Sequence, residues 1–306
     1  MIAIDEFRNS PPAFWAYVRS ISEWVGYTQR SGKGRKGSKI KVPTADEVLE
    51  CLRALQLDAT PLFSADGATT SLGSRLMAYF AVRAEVLNRD VEPALMEARE
   101  AAALFKATRR ALRSKLPVAM NKQRGKKKKP AYLTNLVGML IDAHRQAFPC
   151  DFDPRVLTAF TKRGVPVRTL SRRIDGAFPA AINPVAVWEI KEYYHTRTFG
   201  SRVADGVYET QLDGMELKEM SDHEGLSVRH YLFLDAHYTW WTCGKSYLCR
   251  IFDMVNMGLV DEVIVGRDVL TRAPALVREW IAIMSAREPA VDQPKAPLVV
   301  GKAEAE

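Results

Sequence analysis

Residues 173–202 read RIDGAFPAAINPVAVWEIKEYYHTRTFGSR, and the meaning of Glu189 and Lys191 within them decides the fold. Val185, Ala186, Val187, Trp188 and Ile190 make an apolar run of strand length, bounded upstream by the turn-rich PAAIN. Placing two charges inside such a run is costly unless something compensates. Either the two side chains neutralise each other or they hold a ligand.

Alternation narrows the choice. Residues two apart on a strand share a face, so Val185, Val187, Glu189, Lys191 and Tyr193 lie on one side, with Trp188 and Ile190 on the other. The preceding segment PVRTLSRRIDGAF also reads as a strand, and a hairpin between the two brings Asp175 near Glu189. Two close carboxylates raise each other's pKa unless a cation sits between them, and hard oxygen donors select Mg²⁺, with Mn²⁺ as a substitute. Lys191 then orients, or helps deprotonate, a metal-bound water that attacks a phosphodiester. Glu216 and Lys218 repeat the spacing on a polar helix with no upstream strand carboxylate, and read as a solvated pair.

The stretch IDGAFPAAINPVAVWEIKEYY resembles the active-site hairpin of the PD-(D/E)xK nuclease superfamily, the restriction-endonuclease-like proteins. Asp175, Glu189 and Lys191 match its acidic, acidic and lysine positions, with Ile174 where the family often has proline. The resemblance spans residues 133–265 and implies a mixed central sheet flanked by helices. It also implies a Mg²⁺-dependent endonuclease on double-stranded DNA, serving restriction or antiviral defence. Family members often add an acidic residue from the helix before the hairpin, and Asp142 is either that ligand or a helix-surface aspartate. They also place a polar residue such as Gln211 on the following helix. Tyr193, His195, Arg197, Ser201 and Arg202 fall between the strand and that helix. Ser201 and Arg202 either bind a phosphate at its N-terminus or serve as an ordinary cap and a surface arginine.

The rest of the 306 residues supplies context. A net charge of +8 concentrates in two clusters, one containing Arg35 and Lys36, the other Lys126, Lys127 and Lys128. Either run alone reads as a solvated loop; together they point toward a polyanion, nucleic acid before membrane. Four cysteines without a CxxC pair suggest reduced thiols, and with no signal-like leader or membrane span the expectation is a cytoplasmic protein. His223, His230 and His237 fall on different elements and do not suggest zinc. Residues 1–130 read as a helical region with basic loops, for clamping DNA or docking a partner. Residues 131–286 read as the nuclease core and 287–306 as a disordered tail. Two further expectations stay open: a homodimer or a defence-complex partner, and a core that only binds DNA or acts as a scaffold subunit.

Overall fold

The structure, a computed structural model, describes residues 1–8, 10–29, 38–121, 129–195 and 200–287. The principal elements are α1 (Pro12–Val25), α2 (Ala45–Ala54), α3 (Ser71–Val86), α4 (Ala98–Leu112) and α5 (Tyr132–His144), then β1 (Ala159–Lys162), β2 (Val165–Thr169), β3 (Gly176–Phe178) and β4 (Ala186–Glu192). They continue with α6 (Ser201–Glu224), β5 (Arg229–Asp235), α7 (Lys245–Asn256), β6 (Glu262–Val265) and α8 (Val269–Ala286). The protein is mixed α/β, with a central mixed sheet in the order β3-β4-β5-β6. β3 runs antiparallel to β4, whereas β4, β5 and β6 are parallel. Parallel neighbours need crossovers, which α6 and α7 provide.

Strand alternation sorts the core into two layers. Tyr231 and Phe233 of β5, Ile264 of β6 and Trp188 of β4 pack with α5 and α8. Leu232, Leu234, Val263 and Val265 face the other way, with Val203 and Val207 of α6 and the body of α7. Trp188 stacks on Trp280 of α8 at 5.3 Å. The indole also lies across Gly176 of β3, where a Cβ would meet the ring at 2.1 Å, so only glycine lets the hairpin close there.

The N-terminal helices are built into this body. Thr44 and Glu47 form a reciprocal cap at the start of α2. Phe7, Phe14, Trp15 and Tyr79 form an aromatic cluster that reaches Phe252 of α7. Ile2 bridges Glu262 of β6. Helix α4, which the sequence groups with the N-terminal region, packs on α5 in the opposite layer through Ala101 and Phe105.

One local expectation is corrected. PVRTLSRRIDGAF is not one strand: β2 pairs with β1 in a separate hairpin, turning at Arg163 and Gly164 in left-handed backbone (φ 52° and 78°). Between β2 and β3 the chain drops Leu170 and Ile174 into a small core with Val187, Leu217 and Met220, which divides the run. Further on, β5 ends at Asp235, and residues 238–243 form a helical turn that buries Trp240 and Trp241.

Candidate active site

Glu189 and Lys191 emerge from β4 toward α6, on the face shared with Leu232 and Leu234 across the parallel register. Glu189 is fully enclosed and Lys191 is 9 % exposed. Lys191 Nζ donates to Glu189 Oε2 at 2.8 Å and to Glu209 Oε2 of α6 at 2.9 Å. Its backbone carbonyl accepts from Trp240 Nε1 at 3.3 Å, which fixes the strand at this point.

Arg172, on the segment joining β2 to β3, supplies a second cation. Its Nη1 lies 3.0 Å from Glu189 Oε1 and donates to Asp213 Oδ2 at 2.6 Å. Its Nη2 donates to Glu189 Oε2 and Glu209 Oε2, both at 3.3 Å. Asp213 and Glu209 stand one turn apart on α6. Asp213 is fully buried, and its Oδ1 has no hydrogen-bond partner. Helix α6 comes this close because residue 206 is glycine: a Cβ there would lie 2.9 Å from Tyr193 Oη and 3.2 Å from Lys191 Cδ.

Asp175 lies in a bend one residue before β3, where Gly176 pairs with Trp188, and so comes next to the Glu189–Ile190 stretch of β4. Its Oδ2 accepts from the Ile190 amide at 2.8 Å, and the residue stays accessible to solvent. Desolvation, and then the Glu189 charge, push its carboxyl up to about 6. Desolvation pushes Asp213 up to about 7 despite Arg172. Burial acts the same way on Glu189, but Lys191 and Arg172 outweigh it and hold its carboxyl below the ordinary range. Burial works against the Lys191 charge, yet Glu189, Glu209 and Asp175 keep it an ammonium well above neutral pH.

The donor set suits a divalent ion in chemistry. Four carboxylates (Asp175, Glu189, Glu209, Asp213) stand against two cations (Arg172, Lys191), a formal surplus of two negative charges when all are ionised. Hard oxygen donors with an orphaned buried oxygen among them fit Mg²⁺ or Mn²⁺. As arranged here Arg172 and Lys191 already pair with Glu189, Glu209 and Asp213, and no three carboxylate, imidazole or thiolate groups converge at ligand spacing among the described residues.

The other expected residues are scattered. Tyr193 borders the cluster, its hydroxyl donating to the Arg202 carbonyl at 3.1 Å. Ser201 and Arg202 open α6 and are exposed. Gln211 points along α6 toward Met215, away from the ion pairs. Asp142 is not brought to the cluster: it pairs with Arg145 at 2.8 Å on α5, the helix covering the Trp188 face. His195 also lies on that side, its ring 5.4 Å from Tyr132. Glu216 does not pair with Lys218; it accepts from Ser171, beside Arg172, while Lys218 faces Asp222. Arg35, Lys36, Lys126, Lys127, Lys128 and Arg197 lie outside the described residues.

Sequence reasoning passed over Arg172, Glu209 and Asp213. One signal was there to read: positions 203, 206, 207, 210, 213, 214, 217 and 220 form the inward stripe of α6, and Asp213 is the acid within it. A cavity of about 360 Å³ lined by Leu116, Val118, Val137, Met139, Trp188 and Ile190 lies on the opposite face of β4. Its walls are mainly apolar and it shares no side chain with the ionic cluster.

Fold and site together define a mixed α/β protein with a buried, acid-rich ionic cluster between its sheet and a crossover helix. The chain belongs to the family described as Domain of unknown function (DUF7687), whose model matches residues 96–280. A second family, Domain of unknown function (DUF7690), matches residues 1–90. No curated protein and no solved structure matches the chain.

Proposed function

We propose that this protein is a Mg²⁺-dependent endonuclease of the PD-(D/E)xK kind, with a restriction-endonuclease-like core, hydrolysing phosphodiester bonds in double-stranded DNA. The observation that carries the reading is the hydrogen bond from the Ile190 amide to Asp175, directly after Glu189, with Lys191 one residue further on and a surplus of carboxylates around them. The element order supports it: a short strand, a paired strand bearing the acid and lysine, a helix, then a parallel strand.

Asp175 and Glu189 would hold Mg²⁺ or Mn²⁺. When bound, the ion supplies Lewis acidity and an acidified water. Lys191 works as a fixed ammonium: Glu189 and Glu209 keep it charged, so it offsets charge building on the phosphoryl oxygens rather than accepting a proton. Tyr193 braces the start of α6 through the Arg202 carbonyl, and Ser201 and Arg202 are available there to a backbone phosphate. A part in defence against foreign DNA, as a symmetric dimer or within a larger assembly, is what the resemblance implies.

A second reading has one observation in its favour. Both Glu189 oxygens already face Arg172 and Lys191, which suits a DNA-binding or scaffold subunit whose ionic lock has replaced the metal. Purified protein incubated with supercoiled plasmid and MgCl₂ separates the two. The nuclease reading expects nicking that EDTA stops, and that Lys191→Met or Glu189→Gln lowers by about 10²–10³-fold. Duplex affinity should stay nearly constant, because phosphate contacts dominate it. Salt-dependent binding without nicking, or undiminished nicking by Lys191→Met, establishes the scaffold reading or ends the catalytic one.

A further inference from the structure

We propose that Arg172 is the resident counter-ion of the site, and that a divalent cation must displace its guanidinium before both the ion and a substrate phosphate are bound. This rests on the metal reading above.

Arg172 touches three of the four carboxylates of the cluster: Glu189 and Asp213 through Nη1, Glu209 and Glu189 again through Nη2. Glu189, one of the residues that would hold the ion, thus has both oxygens facing Arg172. An arginine keeps its charge in any protein setting, so it cannot yield by deprotonation. It can yield only by moving, and its surroundings permit that. Lys191 is fixed on the central strand, but Arg172 reaches in from an irregular segment, and its side chain is 24 % exposed. That segment is pinned just before Arg172, where Ser171 donates its amide and hydroxyl to Glu216. Rotation of the side chain alone can therefore carry the guanidinium to the solvent-facing side. Arg173, exposed, is already beside it.

The displacement has a functional consequence. A guanidinium freed from carboxylates at the mouth of the site is well shaped to take a phosphate through two parallel hydrogen bonds. Ion binding thus releases the group that grips substrate, and by linkage substrate phosphate promotes ion binding. Without the ion, Arg172 neutralises the cluster and keeps phosphate out.

The test is Mn²⁺ titration by calorimetry of full-length, metal-free wild type, Arg172→Gln, Arg172→Lys and Glu189→Gln, with folding checked by circular dichroism. Duplex affinity is measured for the same proteins with and without Ca²⁺. Arg172→Gln should bind Mn²⁺ about tenfold more tightly, within the usual range of coupling between sites. It should also lose the gain in duplex affinity that Ca²⁺ gives wild type. Arg172→Lys should fall between, and Glu189→Gln should lose Mn²⁺ binding. Equal or weaker Mn²⁺ binding by Arg172→Gln, with wild type binding normally, overturns the gate and leaves the metal site standing. No Mn²⁺ binding by any folded variant overturns both.

Discussion

Two arginine-centred ionic clusters among the described residues differ in charge balance. Arg83 of α3, 1 % exposed, meets Asp253 of α7 at 3.1 and 3.3 Å and Ser22 at 3.0 Å, while Tyr79 also donates to Asp253. There, one cation faces one carboxylate, sealed between the N-terminal helices and α7. At the other, Arg172 and Lys191 face four carboxylates, and Asp175, Glu209 and Arg172 stay open to solvent. A balanced, closed pair holds elements together. An unbalanced, open one is prepared for a further positive charge.

The comparison breaks most sharply at Asp253. Asp253→Ala leaves Arg83 buried without its counter-charge and is expected to cost about 3–5 kcal/mol. Urea denaturation measures this, and the variant should keep the wild-type stabilisation by Mg²⁺. A loss near zero would mean that the N-terminal helices are held by apolar contacts alone. A changed Mg²⁺ response would mean that the two clusters are coupled.

Two glycines of α6 sharpen the difference between holding the fold and shaping the site. A Cβ on Gly214 would lie 2.3 Å from the Leu259 carbonyl oxygen, backbone that cannot give way, so Gly214→Ala should destabilise by about 1–3 kcal/mol. A Cβ on Gly206 meets the ends of Tyr193 and Lys191, which can move. Gly206→Ala also gains helix propensity of about 1 kcal/mol, so its stability should stay near wild type. Plasmid nicking should nevertheless fall about tenfold, because Lys191 is pushed off its bridge to Glu189 and Glu209. Wild-type nicking by Gly206→Ala would show that the lysine position does not matter.

Much of the fold around β4 was legible. The alternating run at 186–192, the short apolar run at 262–265 and the helical periods at 201–224 and 245–256 stand in the sequence as they fold. Glu189 and Lys191 were found because charge within an apolar run is conspicuous on its own. Arg172 was not, because it comes from irregular chain between two strands, where no period assigns a facing. Glu209 and Asp213 looked like ordinary residues of a polar helix until the strand opposite was known to be charged. Glu192 illustrates the same limit: its carboxylate accepts from the Thr134 amide and hydroxyl at the start of α5, a tertiary cap for a helix lacking one of its own. Periodicity tells which side of an element is apolar; it does not tell which polar groups will meet across a gap.

The smallest expected effect tests the charge surplus directly. Asp213, raised to about 7, holds its proton in the folded state after the unfolded chain has released it. A raised carboxyl makes stability fall as pH climbs from the ordinary carboxylate range to its folded value. Asp175, raised to about 6, acts the same way, discounted for its solvent access. Glu192 and Asp235, each raised to about 7 by burial, share the window, so wild type alone does not resolve the contributions. Asp213→Asn does: in EDTA its stability should decline less steeply than wild type between pH 5 and 8, by up to about 1.4 kcal/mol per pH unit for one proton. It should also be the more stable protein at pH 8, the opposite of Asp253→Ala. Mg²⁺ should narrow that gap by supplying the missing charge to wild type. If Asp213→Asn keeps the wild-type slope in urea titrations, Asp213 is already paid off by Arg172, and the second cluster is as balanced as the first.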